Sequence, residues 1–545
     1  MIRGAFSRLL YPFVVLGLVL GLWTNPIWAD APAPFEKFRV PNDRGPGEKF
    51  LAGFYIYPYY LQQVAERQGQ NYIAFLDAWM KKLTARGFSL FYVAAPPNFD
   101  DWIRLSEKYN FKMIVQLDFA YMTTPSLDDV RTKAPAAIRF IKTYKDHPNV
   151  LAFSVKEEPS KDFMRTLDEY FRQIRAEVPE APLHLLHSNR DALQYPFQTP
   201  ITVAATDRYA FWGWDASAGG YCATPSSALD WFRNDMEVYA RYALDRGALF
   251  QAVFTTVANI HVKTDDMVRS GEYGNYGRIL QLALDENQGW SKLAGKRFKY
   301  VKYYHPPVNT TRAMVWLSVL NGAQSVLNWS GIPTDPIQEA IFTKELYKSI
   351  PANLTGEPPG TAADLARDDF AIQIFGPGNA GTPMLEEYAG AVADLQNYGW
   401  LINRMRPSAD QSKAVVSDEN AHAHLFDIPG YSGKILVIVN TDVGRWDTNS
   451  IRSLVGRNDR FSIDPMGNVI GYTPQITPRT LTVRSSLPGK LFDAGTGRSL
   501  GPAGEGTVNI APGGGAFVYL GDETEWSKLR AISGAAALSA PSLAN

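Results

Sequence analysis

A carboxylate at the end of a β-strand that opens into a pocket can move a proton, and a second one near it can serve as base or nucleophile. The segment 151–158, Leu-Ala-Phe-Ser-Val-Lys-Glu-Glu, has that form. Its odd positions Leu151, Phe153 and Val155 are large and apolar, while Ala152, Ser154 and Lys156 are small or polar. A period of two turns the odd set toward covering helices and the even set toward an interior, so Glu158 is expected to point inward at the strand's end. Glu157 has the opposite parity and is a substrate-binding candidate. The structural alternative for Glu158 is an ion pair with Lys156 or a loop arginine. The segment 111–118 follows the same pattern: Met113, Val115 and Leu117 outward, Ile114, Gln116 and Asp118 inward, with Tyr121 just beyond. Asp118 is expected either to bind substrate or to cap the next loop. A third segment ends Thr206-Asp207-Arg208-Tyr209 and runs into Phe211-Trp212-Gly213-Trp214. Asp207 is the candidate second carboxylate, with Arg208, Tyr209 and Trp212 as polar and stacking contacts; an Asp207–Arg208 ion pair is its structural alternative. Tyr57, His187, Asn189, Gln251, Asn328 and Trp329 fall at other strand ends or turns and are expected to supply hydrogen bonds and stacking rings.

Other chemistries fit poorly. The chain has seven His residues; His184, His187, His261 and His305 lack close ligand spacing, and His422 and His424 alternate on a strand with no third ligand in view. Cys222 is the only cysteine, which excludes an internal disulfide and a cysteine-based zinc site. Neither a metal nor a cofactor is expected, and no Gly-x-Ser-x-Gly elbow marks a serine nucleophile. Lys plus Arg total 54 against 55 Asp plus Glu, a net charge of -1, so no nucleic-acid partner is expected. The 13 Trp and 27 Tyr offer rings for stacking on sugars, although core packing accounts for most of them.

The elements that must hold these residues alternate along the chain. Strand-like runs at 50–57, 88–95, 111–118, 150–158, 183–189, 201–207, 248–256 and 325–329 are separated by helix-length amphipathic stretches at 72–86, 100–109, 127–144, 161–177, 228–246 and 311–321. Eight βα units predict a (β/α)8 TIM barrel over 50–405, closed by a helix at 384–405. A doubly wound sheet is the rival, but no Gly-rich phosphate loop follows the first strand, where Tyr55-Ile-Tyr-Pro-Tyr-Tyr60 forms the turn. Beyond 407, short strands divided by turns predict a smaller all-β sandwich over 412–521, followed by a disordered tail at 522–545. At the other end, Arg3 and Arg8 precede an apolar run to Trp23 and then Ala29. This is the layout of a signal peptide over 1–29, with an extended, proline-rich leader at 30–49. The expectation is a secreted or periplasmic bacterial protein with no stable membrane insertion after cleavage; oligomeric state is not legible.

The segment Tyr144-Lys-Asp-His-Pro-Asn-Val-Leu-Ala-Phe-Ser-Val-Lys-Glu-Glu-Pro159 resembles the fourth-strand motif of (β/α)8 glycoside hydrolases of the β-galactosidase and cellulase clan. The segments 312–329, 491–497 and 510–520 look like that clan's last barrel unit and C-terminal β-sandwich. The resemblance implies hydrolysis of glycosidic bonds in a poly- or oligosaccharide by carboxylate acid/base catalysis, with Glu158 as acid/base and carbohydrate as the partner. Two positions depart from the clan. Glu157 stands where the clan has Asn, and Phe250-Gln-Ala-Val-Phe-Thr-Thr256 carries no strand-seven Glu, which leaves Asp207 or Glu272 as second carboxylate. The alternative is a catalytically inactive glycan-binding barrel in a polysaccharide export or cell-surface assembly.

Overall fold

In the computed structural model, residues 36–42, 47–94, 96–211, 225–256, 258–260, 301–303, 305–329, 331, 371–372, 382–446, 472–502 and 504–532 are described. Eight parallel strands form the central sheet: β1 (Leu51–Ile56), β2 (Leu90–Ala94), β3 (Lys112–Gln116), β4 (Val150–Ser154), β5 (His184–His187), β6 (Val203–Asp207), β7 (Leu249–Thr255) and β8 (Ser325–Trp329). Their spatial order is β4-β3-β2-β1-β8-β7-β6-β5, and the bridge Phe153↔Leu183 joins β4 to β5. The sheet therefore closes on itself as a TIM barrel. Around it lie α1 (Pro58–Arg67), α2 (Tyr72–Ala85), α3 (Phe99–Tyr109), α4 (Leu127–Tyr144), α5 (Lys161–Glu177), α6 (Pro225–Asp245), α7 (Thr310–Leu320) and α8 (Pro383–Gln396). Tyr388 of α8 donates its hydroxyl to Gly53 O at 2.7 Å, so the last helix is pinned to the first strand.

Strand parity sorts the apolar residues into two cores. Phe54, Phe91, Met113, Val115, Phe153, Val155 and Phe254 pack outward under the helices. Tyr55, Tyr92, Ile114, Ala152, Leu186, Ala205, Val253, Leu327 and Trp329 fill the barrel. Leu151, expected to face the helices, instead joins the interior. The reason is a register shift, with Met113 paired to Val150 but Ile114 to Ala152, so that one extra residue of β4 is bulged into the barrel.

Two further expectations need correction. The turn after β1 is the start of a helix, α1, because Pro58 at its first turn gives up an N–H that has no helical partner anyway. The leader is more than an extended run: Phe38 and Val40 are buried in the barrel's interior core and Pro41 bridges Glu48, so the segment plugs the barrel's N-terminal end. The expected signal peptide at 1–29 lies outside the described residues.

The C-terminal part contains β9 (Ala414–Val416), β10 (Ala421–Asp427), β11 (Lys434–Asn440), β12 (Arg479–Ser485), β13 (Lys490–Asp493), β14 (Glu505–Ile510) and β15 (Gly515–Gly521). A five-stranded antiparallel sheet, Arg406–Pro407 with β10, β11, β15 and β13, faces the three-stranded sheet β9-β12-β14. Leu425, Leu436, Ile438, Leu481, Val483, Val508 and Val518 fill the space between them. The other face of the larger sheet lies on the barrel: Phe517 meets Trp316 of α7 at 5.4 Å between ring centroids. Burial on both faces explains why β11 reads Ile-Leu-Val-Ile-Val without alternation. The tail's first part is ordered, not disordered as its composition suggests. Residues Glu523–Ile532 form helix α9, whose Trp526 stacks on Tyr519 at 4.6 Å.

Candidate active site

The chain leaves β4 through Val155 and Lys156 and then turns sharply at Glu158, whose φ of 44° lies in the left-handed region. Non-glycine residues enter that region at a cost, so surrounding contacts must hold it there. One of them is the backbone N–H of Glu158, which donates to Leu186 O of β5 at 3.2 Å across the barrel's closing seam. The left-handed turn cancels the alternation of parity, and both glutamates therefore serve the barrel mouth. The Glu157 carboxylate acts electrostatically on the buried Tyr92 hydroxyl inside the barrel and, after burial, helps to raise its pKa. Glu158 is exposed at the rim, and its charge acts on Asp207 at the end of β6.

Asp207 is a strongly perturbed carboxyl at the mouth. Its Oδ2 accepts from the Tyr209 hydroxyl at 2.9 Å, while its solvent-sealed Oδ1 meets no donor. Burial first, then the facing charge of Glu158, pushes its pKa well above the ordinary carboxylate range, and Tyr209 only partly offsets this. Ionising Asp207 beside the charge of Glu158 is costly, so its protonated form is favoured. Lys156 does not neutralise the pair. Its ammonium lies 3.3 Å from the Tyr121 hydroxyl and 4.8 Å above the rings of both Tyr121 and Phe163, and among the described residues it makes no ion pair with Glu158. Desolvation there lowers its pKa, against the opposing pull of Glu157 and Glu158.

Aromatic rings wall the site. Tyr55 and Tyr92 stack at 4.1 Å, Tyr209 lies 5.6 Å from Trp329, and Trp329 Nε1 donates to the Tyr57 hydroxyl at 2.8 Å. The Tyr55 hydroxyl is buried without a hydrogen-bond partner and within electrostatic reach of Glu157 and Asp207. Tyr55 and Tyr92 were not among the expected contacts; their inward parity on β1 and β2 was the signal that could have found them. The structure thus gathers Glu157, Glu158, Asp207, Tyr57, Tyr121, Tyr209 and Trp329 at one mouth. Asp118 is exposed in a single 3-10 turn beside Tyr121, whose pKa its charge helps to raise.

Other expected contacts lie elsewhere. Arg208 has the opposite parity to Asp207 and turns outward: it pairs with Asp235 of α6 and stacks on Trp231 at 4.6 Å. His187 also faces α6, 4.9 Å from the Tyr242 ring, and burial depresses its pKa to about 3. Asn189 caps a short helix by accepting from Asp191 N at 2.8 Å. Asn328 is fully buried and brackets the end of β7, with Nδ2 donating to Thr256 Oγ1 at 2.8 Å and Oδ1 accepting from Thr256 N at 3.2 Å. Gln251 does face inward but sits below the mouth in a sealed polar layer, 3.1 Å from His184 Nε2 and 3.0 Å from Ser325 Oγ. Trp212 and Glu272 lie outside the described residues. On β7 the inward side chains are Leu249, Gln251, Val253 and Thr255, none of them a carboxylate.

No family model and no curated protein matches the chain. Among solved structures it is similar to a glycoside hydrolase family 5 protein from Bacteroides vulgatus, at 10% identity and a TM-score of 0.45, over 91% of this chain and 96% of that one. An α-amylase from Anoxybacillus shares 8% identity at a TM-score of 0.41, over 87% and 98% of the two chains. A family 5 mannosidase from Rhizomucor miehei shares 11% at 0.37, over 66% and 99%. These solved neighbours are glycoside hydrolases, but likeness at this level assigns no activity, so the chemistry of this chain rests on its own side chains.

Proposed function

We propose that this protein is an exported glycoside hydrolase-like enzyme that cleaves glycosidic bonds of a poly- or oligosaccharide, with the Asp207–Glu158 pair as its proton donor. The observation that carries this reading is the half-buried Asp207 carboxyl, its pKa raised, facing the exposed Glu158 in a ring-lined mouth. Cleavage of a glycosidic bond needs an acid that is still protonated near neutral pH, and a half-buried carboxyl with a raised pKa supplies one. Glu158, at the rim, delivers the proton to the departing sugar oxygen, and Asp207 restores it. After burial, the charge of Glu158 is the largest influence raising the pKa of Asp207, so the two carboxyls are electrostatically coupled. The two therefore act as one acid. Glu157, close enough to the Tyr92 hydroxyl to raise its pKa, is the carboxylate assigned to act as base or to stabilise positive charge on the sugar ring. Tyr57, Tyr209 and Trp329 provide faces on which sugar rings stack.

A second reading is favoured by one observation, the absence of a carboxylate on β7 among the described residues. It makes the protein an inactive glycan-binding barrel of an export or cell-surface assembly. Release of reducing ends from a panel of bacterial polysaccharides separates the two. Glu158→Gln is expected to lower turnover by about a hundredfold or more with glycan binding retained. Binding by the unaltered protein without any turnover would select the second reading. The proposed export rests on the signal-like N-terminus, and N-terminal sequencing of the mature protein is expected to start near Asp30. Among the described residues no helix is long and apolar enough to cross a membrane.

A further inference from the structure

At the end of the barrel opposite the mouth, a pocket of about 400 Å³ opens between α2, α3 and the chain entering β2. Three of its lining side chains are lysines, Lys49, Lys81 and Lys108, and three more, Thr84, Ser89 and Asn110, carry hydrogen-bonding groups. None of the lining side chains is a carboxylate. Lys108 also holds both carboxylate oxygens of Asp77, at 2.7 and 2.9 Å, which leaves one of its three N–H bonds for another acceptor. Lys81 is exposed and makes no ion pair among the described residues. Ser89 is 5% exposed, and its hydroxyl has no hydrogen-bond partner. A buried hydroxyl without a partner is unusual enough to require a reason, and a ligand oxygen would provide one.

The surroundings add to the positive field. Lys112, whose ammonium caps Pro148 O at 3.1 Å and Asn149 Oδ1 at 2.7 Å, has its pKa lowered to about 8 by burial and by the nearby charges of Lys49 and Lys37. Ammonium groups are compact point charges that suit a tetrahedral oxyanion approached from several sides; the planar arginine fork that matches a carboxylate is missing from the lining. The volume falls within the usual range of small-molecule sites and exceeds what a bare phosphate fills.

We propose that this pocket binds a phosphate- or sulfate-bearing small molecule, with Lys49, Lys81 and Lys108 facing the oxyanion and the Ser89 hydroxyl donating to it. The site is separate from the carboxylate mouth and does not depend on the proposed hydrolysis. The test is calorimetric titration of the full chain with inorganic phosphate and with glucose 6-phosphate at constant ionic strength. Saturable one-to-one binding is expected, with Lys81→Glu weakening it about tenfold or more and Ser89→Ala weakening it in the same direction. Equal affinity for the two probes identifies the free anion as the ligand, and tighter binding of glucose 6-phosphate identifies a phosphorylated sugar. If Lys81→Glu does not fold, Lys81→Gln at the same exposed position takes its place. No saturable binding of either probe, or a dissociation constant unchanged by the Lys81 substitution, would overturn the proposal.

Discussion

At Asp207 a half-buried carboxyl, with Oδ1 sealed from solvent, favours its protonated form because of desolvation first and the facing charge of Glu158 second. The consequence for stability has a definite sign. Its pKa is raised in the folded chain, so folding favours the protonated form; the associated stability is fully present below the ordinary value near 3.8 and is lost as pH rises through the folded value. Asp207→Asn cannot suffer that loss. Chemical denaturation from about pH 5 to about pH 9 should therefore show the variant gaining stability relative to the unaltered protein as pH rises. A constant difference across the range would contradict the assigned shift. At this scale the sequence was only partly legible. Strand-end position pointed to Asp207 and Glu158, but a residue's parity beyond the last ladder bond cannot be read from alternation. Arg208 therefore turned out to face α6, and Glu157 joined the mouth through a left-handed turn that no residue type announces.

Among the elements, β7 and β8 depend on a bracket that was mistaken for a substrate contact. Asn328 satisfies both the backbone N–H and the hydroxyl of Thr256, which are fully buried, so Asn328→Ala strands a backbone donor. Loss of about 1 to 3 kcal/mol of stability is expected, measured by denaturant unfolding. Asn328→Asp is expected to be less damaging than Ala, because a carboxylate oxygen can still accept from Thr256 N. All eight barrel strands and most helices were legible because period-two and period-3.6 patterns are strong in long elements. α4 and α5 matched to the residue. The bulge in β4 was invisible, since inserting Leu151 changes register without changing the apolar pattern.

Across the whole molecule, barrel and sandwich share one apolar core: Phe517 packs on both Trp316 and Tyr398, and His424 Nδ1 lies 2.9 Å from Leu320 O. Limited proteolysis should accordingly yield no folded fragment spanning 412–521 alone, and recovery of one would show that the interface is dispensable. At the barrel's other end Phe38, 3% exposed, is part of the interior core, and Phe38→Ala is expected to cost about 3 to 5 kcal/mol by denaturant unfolding. A cost below about 1 kcal/mol would mean that the plug is not needed to seal the barrel. Composition hid this role, because a proline-rich leader with two apolar residues reads as linker until the hole it fills is known.

The proposed mechanism turns on Asp207 retaining its proton near neutral pH, under burial and the facing charge of Glu158. Infrared difference spectroscopy of the unaltered protein against Asp207→Asn at pH 7 tests it most directly. The account predicts a protonated-carboxyl carbonyl band that disappears in Asp207→Asn and that titrates at lower pH in Glu158→Gln, where the opposing charge is gone. An Asp207 that is already fully ionised at pH 7, with no such band to lose, would contradict it.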